Sequence, residues 1–277
     1  MIAPIWTDVS PQGLVRAVEA HEVAHLRSWG ELSGGTVDEL PDVLLTRSGT
    51  SVPWSNGAIG ARFETANADR RIAETLEIIR SRGVPATWRV MPSDRPPDLA
   101  ARLAAAGLEQ QPLAWMALDL ETLETHAAAA PPAPPGLRPR RVLTREDQDL
   151  WLDVMAKGFV RMTAEAWAFL DRTADATGYG DDASWWRFVG EQDGRIVGSS
   201  GIVWTGGVAG IYNVTTPPEL RRRGVATAMS QHALRTARAH GHRVAVLGSS
   251  DLGRGVYERL GFRDVCTVAE FAIEPQA

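Results

Sequence analysis

The chain has 277 residues, of which 44% are hydrophobic and 23% are charged, and its net charge of −5 argues against broad binding of nucleic acid. This length and composition are typical of a globular protein with room for two domains of about 130 residues each. A single cysteine, and the lack of a basic leader or of roughly 18 consecutive apolar residues, favour a cytoplasmic protein that does not bind membranes.

Three elements are predicted near the end of the first half, after Ile-Arg-Ser-Arg-Gly at 79–83. A β-like run over 86–90 is followed by a turn rich in proline and then by a helix over 98–106. Gly107 and Leu108 come directly after this helix. An apolar run over 113–120 then completes the half as a strand.

A run of alanines and prolines separates the two halves of the chain. Residues 126–136 read His-Ala-Ala-Ala-Ala-Pro-Pro-Ala-Pro-Pro-Gly. Proline has no backbone N–H and interrupts regular hydrogen bonding, so this run is predicted to be a spacer. The sequence therefore predicts a domain over 1–125 and another over 137–277.

The second half begins with two helices and continues with a series of strands. Thr144 offers a hydroxyl N-cap to the first helix, and Asp193-Gly194 supplies the left-handed turn of a hairpin. The predicted segments are a helix after 144, a helix over 163–171, strands over 185–191, 195–204 and 208–214, a helix after 224, a strand over 243–247, a helix over 252–260 and a strand over 266–273.

The stretch from 212 to 227 is the most informative in the chain. It reads Tyr-Asn-Val-Thr-Thr-Pro-Pro-Glu-Leu-Arg-Arg-Arg-Gly-Val-Ala-Thr, so a β-branched run enters a basic loop that opens a helix. A helix start presents free N–H groups and the positive end of the helix dipole. Gly224 and Ala226 leave the backbone accessible to a ligand. This pattern predicts a site for a cofactor that carries a pyrophosphate.

Two motifs in this half carry a family resemblance. Arg221-x-x-Gly224-x-Ala226 resembles the pyrophosphate loop of the GNAT superfamily of acyl-CoA-dependent N-acyltransferases, and Tyr257-Glu-Arg-Leu-Gly-Phe resembles its Tyr-x-x-Leu-Gly-Phe segment. The two motifs stand in the family's order along the chain. The resemblance covers residues 137–277, and it implies a mixed, mostly antiparallel sheet flanked by helices.

The end of the first half repeats the pattern found at the end of the second half. Residues 79–120 and 239–273 both pass from a helix end through a strand, a turn and a short helix to a last strand. Gly107 and Gly261 occupy the same place in the two segments. Self-similarity in a fixed order predicts an internal repeat.

The two copies differ where the chemistry would take place. The first copy has Leu103 four residues before Gly107, where the second copy has Tyr257 four residues before Gly261. The first half also has no Arg-x-x-Gly-x-Ala motif. We therefore expect an α/β protein (an α+β mixed sheet) of two tandem GNAT-like domains. The expected parts are a degenerate copy without cofactor over 1–125, a Pro/Ala linker over 126–136 and a catalytic copy over 137–277.

The resemblance implies acetyl-CoA or another acyl-CoA as cosubstrate, with no metal, and an amine of a small molecule or peptide as acceptor. The backbone after the central strand would contact the acyl and pantetheine groups, and the loop would hold the pyrophosphate. The implied cofactor-binding residues are Val214, Thr215, Thr216, Arg221, Arg222, Arg223, Gly224, Val225, Ala226 and Thr227. Tyr257 matches the family's general acid, since a phenol with a pKa of about 10 is protonated at neutral pH.

A general base is not evident in the sequence. Some family members use a glutamate on the strand before the loop, but residues 208–214 contain no carboxylate. Tyr212 or Asn213 could orient a water that takes the proton, and Glu270 on the last strand is another candidate. The missing carboxylate leaves open whether the acceptor is an amine, a weakly basic nitrogen or a hydroxyl.

Two other functions stay open beside acyl transfer. A protein that keeps the loop but has lost turnover would be a non-catalytic sensor of acyl-CoA. The motif His-Glu-x-x-His, from His21 to His25, is also a zinc-hydrolase signature, although no third ligand follows at a set spacing. The tryptophans at 151, 167, 185 and 186 fall where acceptors bind in similar proteins, but large aromatic residues mainly supply buried area.

Overall fold

The computed structural model describes residues 4–32, 34–128, 130–159 and 162–276; residue 129 of the predicted spacer and the chain start at 1–3 lie outside this description. The α-helices are α1 (Pro11–Gly30), α2 (Ala68–Ser81), α3 (Leu99–Ala105), α4 (Leu123–Ala127), α5 (Arg145–Gly158), α6 (Ala164–Thr177), α7 (Val225–Ala239) and α8 (Asp251–Arg259). The strands are β1 (Thr36–Leu40), β2 (Val43–Arg47), β3 (Gly57–Ile59), β4 (Ala86–Val90), β5 (Gln110–Asp119), β6 (Arg138–Arg141), β7 (Trp185–Gln192), β8 (Arg195–Thr205), β9 (Val208–Thr215), β10 (Val244–Ser249) and β11 (Arg263–Ile273).

The chain folds into two compact units that are not consecutive halves of the sequence. The large unit comprises Met1–His21 with Trp115–Val265, and the small unit comprises Glu22–Ala114 with Cys266–Ala277. The boundaries expected at 125 and 137 do not coincide with this division. The reason is that the chain passes from one unit to the other within strand β5 and again within strand β11.

The sheet of the large unit has the strand order β5-β10-β9-β8-β7-β6. Strands β6 to β9 pair antiparallel with their neighbours, and β9 pairs parallel with β10. Asp193 and Gly194, with φ of 50° and 71°, form the left-handed turn predicted between β7 and β8. The small unit follows the same scheme in the order β1-β2-β3-β4-β11, with β3 and β4 as its parallel pair. The prediction of mixed, mostly antiparallel sheets flanked by helices is confirmed.

The helix after the arginine loop, α7, packs its small apolar face into the core of the large unit. Val225, Met229, Ala233 and Ala237 are buried, as their four-residue spacing predicts. They belong to one hydrophobic cluster with Ile211 of β9. The start of α7 is therefore fixed against the sheet, next to the end of β9.

The internal repeat is confirmed by the order of the elements. The series α2-β4-α3-β5 matches the series α7-β10-α8-β11. Helices α3 and α8 also end in the same way: the N–H of Leu108 donates to the carbonyl of Leu103 at 3.2 Å, and the N–H of Phe262 donates to the carbonyl of Tyr257 at 3.1 Å. This bond belongs to the helix end in which a left-handed glycine follows the last turn. Leu103 and Tyr257 are thus equivalent positions.

Some elements were not predicted from the sequence, and β1, β2, β3 and β6 are among them. Strand β6 reads Arg-Pro-Arg-Arg, which has no apolar alternation, and it lies at the sheet edge beside β7, where the missing N–H of Pro139 is tolerated. Helix α5 has the predicted cap, because the hydroxyl of Thr144 accepts a bond from the N–H of Asp147 at 3.1 Å. None of the described helices is long and apolar enough to cross a membrane.

Candidate functional site

A cavity of about 1210 Å³ lies in the large unit, where strands β9 and β10 separate. The two strands pair in parallel at Gly210 and Val246. Residues beyond this pair, such as Tyr212 on β9 and Gly248 on β10, line the cavity. The loop after β9, the start of α7 and helix α8 complete its lining.

The structure brings the predicted site residues together around this one cavity. Its lining includes Val214, Thr215, Thr216, Arg221, Arg222, Arg223, Gly224, Val225, Ala226, Thr227 and Tyr257. Four local structures position them: the end of β9, the loop after it, the start of α7 and the middle of α8. These residues are separated by up to 43 positions in sequence, from Val214 to Tyr257, yet they enclose a single space.

Strand β9 carries a bulge at Asn213. Tyr212 lies opposite Gly201 on β8, whereas Thr215 lies opposite Ser199, so β9 has one extra residue between these pairs. Asn213 has a left-handed φ of 55°, and its carbonyl accepts a bond from the Ser199 hydroxyl at 2.7 Å. A bulge bends its strand and strengthens the local twist. The end of β9 can therefore turn away from β10 and leave the cavity between them.

The hydroxyl of Thr216 is a buried polar group in the cavity wall. The residue is 7% exposed, and its Oγ1 has no hydrogen-bond partner among the described residues. A buried hydroxyl without a partner costs about 1–3 kcal/mol. This oxygen is therefore suited to bond a ligand that enters the cavity.

The first arginine of the loop is bonded to the protein itself. Arg221 donates from Nε to the carbonyl of Thr216 at 3.2 Å and from Nη2 to the carbonyl of Gly158 at 3.4 Å. Gly158 is the last residue of α5 and also lines the cavity. Arg221 thus ties the loop to the end of β9 and to α5.

The rest of the loop leads into an uncapped helix start. Arg222 and Gly224 have left-handed φ values of 61° and 86°, and Gly224 is the N-cap of α7. No described side chain caps the first N–H groups of this helix. Arg222 and Arg223 extend into solvent beside it. Unpaired N–H groups, a positive helix end and two cationic side chains are features that favour the binding of a polyanion.

Part of the predicted spacer also forms a wall of the cavity. Pro131 and Pro132 line the cavity. The carbonyl oxygen of Pro132 lies 3.4 Å from the position that a Cβ would take at Gly224. Prolines favour an extended backbone without internal hydrogen bonds, and such a backbone can lie along a loop.

Tyr257 lies on α8 and lines the cavity together with the loop. Its ring packs against Phe262, with 5.9 Å between ring centroids, and is half-buried. Burial raises the pKa of the Tyr257 phenol to about 12. The hydroxyl therefore keeps its proton through the neutral range and can act as a hydrogen-bond donor in the cavity.

Comparison with known proteins identifies this part of the chain. Residues 150–262 match the model of the Acetyltransferase (GNAT) family, and this segment holds both motifs. Residues 150–262 form a GNAT domain. No curated protein matches the chain.

Solved structures share the fold of the chain as a whole. A GCN5-related N-acetyltransferase from Kribbella flavida has a TM-score of 0.71 at 17% identity, with 95% of this chain and 96% of that chain covered. A tandem GNAT protein from the clavulanic acid biosynthesis pathway has a TM-score of 0.63 at 14% identity, with 100% and 99% covered. A GCN5-related N-acetyltransferase from Sphaerobacter thermophilus has a TM-score of 0.61 at 19% identity, with 100% of this chain and 96% of that chain covered. The chain has the tandem GNAT fold.

The candidates for a general base fall in different places. Tyr212 and Asn213 line the cavity of the GNAT domain. Glu270 belongs to the small unit, where its carboxylate accepts a hydrogen bond from Arg89 at 3.2 Å, and it is not among the described residues that line the cavity. The structure therefore leaves Tyr212 and Asn213 as the candidates at the site.

Sequence reasoning missed the partner of Tyr212. The hydroxyl of Tyr212 lies 2.9 Å from Nε2 of His21, a residue 191 positions away in sequence. A Cβ at Gly210 would lie 2.2 Å from the His21 ring, so this glycine makes room for the histidine. A glycine inside a strand marks such a close approach, and Gly210 was the available signal.

The tryptophans and the zinc motif of the sequence have other surroundings. Trp151 and Trp185 are buried and pack edge-to-face at 5.4 Å, and Trp186 is also buried, as expected of core residues. Along helix α1, ligand atoms of His21, Glu22 and His25 lie within 4.8 Å of one another. However, both ring nitrogens of His21 already have hydrogen-bond partners on the strands of the large unit. This bonding is typical of a structural or relay histidine and disfavours a zinc ligand.

Proposed function

We propose that this protein transfers an acetyl or another short acyl group from acyl-CoA to an amine of a small molecule or peptide. One observation carries the proposal: an uncapped helix start, an arginine loop and a protonated tyrosine line the same cavity. An anion site next to a proton donor is what a cosubstrate with a pyrophosphate and a thioester requires.

The cosubstrate would lie between β9 and β10 and along the loop. The N–H groups of Val225, Ala226 and Thr227 would bind the pyrophosphate, with the side chains of Arg222 and Arg223 beside it. The backbone of residues 214–216 would bond the pantetheine and acyl groups, since this segment lines the cavity after the bulge. When bound, the cosubstrate supplies a thioester that is activated for attack by an amine.

Tyr257 would act as the general acid of the reaction. Its phenol would donate to the sulfur as negative charge develops there, and stabilise the departing thiolate. Because burial raises the pKa of this phenol to about 12, the proton is present at every physiological pH. The transfer itself is then driven by the basicity that the sulfur gains as its bond to carbon breaks.

We also propose that the N-terminal copy is degenerate and binds no cofactor. The position equivalent to Tyr257 is Leu103, which is fully buried in the core of the small unit. Helix α2, the counterpart of α7, begins with Ala68-Asp69 and has an acid in its first turn. A carboxylate at that place repels a pyrophosphate.

A non-catalytic sensor of acyl-CoA is the second candidate function. The observation that favours it is the lack of a carboxylate on β9, where a general base is expected. A sensor would bind acetyl-CoA and release no thiol with any amine. Tyr257→Phe would leave a sensor unchanged, whereas it would slow an enzyme.

Calorimetric titration with acetyl-CoA tests the proposal directly. We expect one site per chain, lost in Arg222→Glu and kept in Arg195→Glu, whose arginine is exposed at the start of β8. Two sites per chain would contradict the degenerate N-terminal copy. No binding by the wild-type protein would refute the acyltransferase proposal.

A further inference from the structure

His21 is a fully buried histidine whose ring is hydrogen-bonded at both nitrogens within the large unit. Its Nε2 lies 2.9 Å from the hydroxyl of Tyr212, and its Nδ1 lies 2.7 Å from the hydroxyl of Thr205. The Thr205 hydroxyl also donates to the backbone carbonyl of His21 at 3.4 Å. The oxygen of the Thr205 hydroxyl then accepts from Nδ1–H of His21. Because the neutral ring carries its proton on Nδ1, the lone pair of Nε2 faces the Tyr212 hydroxyl.

The backbone of β9 is built to hold this pair. A Cβ at Gly210 would lie 2.2 Å from Cε1 and 2.3 Å from Nε2 of His21, and 2.7 Å from Cε2 of Tyr212. No side chain can occupy that place while the two rings keep their positions. The rings also stack, with centroids 5.7 Å apart and planes at 30°. The lack of a side chain at Gly210 therefore allows the His21 ring to stack against the Tyr212 ring.

Tyr212 connects this buried pair to the cavity. It is half-buried, it lines the cavity, and it directly precedes the bulge at Asn213. Burial lowers the pKa of His21 to about 4, so the imidazole is neutral at physiological pH. A neutral imidazole with its lone pair toward a phenol can receive the phenol's proton.

We propose that Tyr212 is a catalytic residue that removes the proton from the acceptor nitrogen, and that His21 is a positioning residue that takes up the proton of Tyr212. The inference rests on the proposed acyl transfer and supplies the base which that function lacks. Thr205 would hold the ring in the required tautomer through Nδ1–H.

The proton steps balance around one bond exchange. As the acceptor nitrogen forms its bond to the acyl carbon, its N–H bond breaks and the proton passes to the Tyr212 oxygen. The phenol O–H bond breaks in turn, and that proton passes to Nε2 of His21. The carbon–sulfur bond breaks with its electron pair on sulfur, which takes the proton of Tyr257. After the product leaves, His21 returns its proton through Tyr212 to water, and Tyr257 regains one from water.

The low pKa of His21 is compatible with this role. A nitrogen becomes much more acidic as it bonds to an acyl carbon, so a weak base is sufficient at that stage. Transfer through the phenol avoids a separate phenolate, whose formation near neutral pH is unfavourable for a group with a pKa of about 10. The imidazolium is short-lived, because burial disfavours its charge.

Nuclear magnetic resonance of the full chain labelled with ¹⁵N-histidine tests the tautomer without any acceptor. His21→Gln assigns the resonances of His21 among the six histidines. We expect a neutral ring with its proton on Nδ1, and an Nε2 resonance that shifts in Tyr212→Phe. A proton on Nε2 would overturn the proposal, because the ring would then donate to Tyr212 and could not accept from it.

Kinetics test the role of the pair, with Tyr179→Phe as the matched control outside the cavity lining. Thiol release from acetyl-CoA is measured with tyramine and spermidine as acceptors. We expect kcat to fall at least about 100-fold in Tyr212→Phe, to fall in His21→Gln, and to stay unchanged in the control. KM for acetyl-CoA should be the same in all of them.

Calorimetry separates failure of this inference from failure of the proposed function. If the wild-type protein binds no acetyl-CoA, the proposed function is refuted. If Tyr212→Phe binds acetyl-CoA and turns over at the wild-type rate, acyl transfer stands and the relay is refuted. Tyr212→Phe removes only a hydroxyl, so the test does not depend on whether His21→Gln folds. If neither amine is turned over, the ¹⁵N-histidine spectrum decides the proposal. A proton on Nδ1 of His21 supports the relay, and a proton on Nε2 overturns it.

Discussion

The guanidinium of Arg221 donates a hydrogen bond to the backbone carbonyl of Thr216, with 3.2 Å between Nε and O. The first arginine of the loop therefore supports the end of β9, while Arg222 and Arg223 are exposed and, in the proposed function, would face the pyrophosphate. The Arg-x-x-Gly-x-Ala motif thus contains one arginine that holds the loop and a glycine that opens the helix. Arg222 and Arg223, which lie between Arg221 and Gly224, add two positive charges beside the helix start.

This division of roles predicts different effects for Arg221→Gln and Arg222→Gln. Loss of the bonds of Arg221 should lower the free energy of unfolding by about 1 kcal/mol, since the side chain is exposed. Arg222→Gln should leave stability unchanged and weaken acetyl-CoA binding about tenfold, because it removes one charge-assisted contact. Urea denaturation and calorimetric titration measure the two quantities. Equal losses of stability in both variants would contradict the assignment.

Gly224 should be sensitive for two separate reasons. Its φ of 86° is strained for any residue with a Cβ, and it lies at the proposed phosphate site. Gly194, with φ of 71° in the β7–β8 turn, is a matched control. We expect Gly224→Glu and Gly194→Glu each to lose about 1–2 kcal/mol of stability, and only Gly224→Glu to abolish acetyl-CoA binding. Unchanged affinity in Gly224→Glu would rule out the loop as the phosphate site.

The parts of the site that were predictable from sequence are those built by local backbone structure. A glycine before a helix and a tyrosine four residues before a helix-ending glycine leave a short pattern in the chain, as at Gly224 and Tyr257. The four-residue spacing of α7 likewise follows from its packing. Such features depend on neighbours within a few residues, so the sequence alone reveals them.

The parts that were missed depend on contacts between distant segments. His21 meets Tyr212 across 191 positions, and Pro132 reaches Gly224 from the predicted spacer. No local pattern encodes these contacts, and only Gly210 hinted at the first of them. The passage of β5 and β11 between the units was hidden for the same reason, since both read as ordinary strands.

Thr216→Val should weaken the binding of acetyl-CoA without lowering the stability of the protein. Valine keeps the shape of threonine and removes a buried hydroxyl that has no partner among the described residues. We expect the free energy of unfolding to rise by about 1 kcal/mol or to stay the same. Acetyl-CoA affinity should fall about tenfold if this hydroxyl bonds the ligand. A stability loss in the unliganded variant would show that the hydroxyl has a partner.

Tyr257→Phe should lower kcat about 100-fold and leave the Kd for acetyl-CoA unchanged. The reason is that the ring, which packs against Phe262, is retained while the proton donor is lost. Because the phenol's pKa is raised to about 12, the phenol keeps its proton below about pH 10. Its loss of a proton should therefore not lower kcat as the pH rises to that value. Steady-state rates of thiol release over a pH series measure both effects, with Tyr179→Phe as control. Full activity of Tyr257→Phe would exclude the tyrosine as general acid.

Burial of His21 should make the protein less stable in acid. Its pKa is about 4 in the folded protein, whereas the pKa of an exposed histidine is 6.5. Between these two values the unfolded chain binds a proton that the folded protein does not bind, so this stabilisation is present above pH 6.5 and is lost as the pH falls toward 4. The difference corresponds to about 3 kcal/mol. Urea denaturation of the wild type and of His21→Gln over this range isolates the effect, since the other histidines are common to both. Parallel stability curves for the two proteins would show that His21 is protonated, or accessible to water, in the folded state.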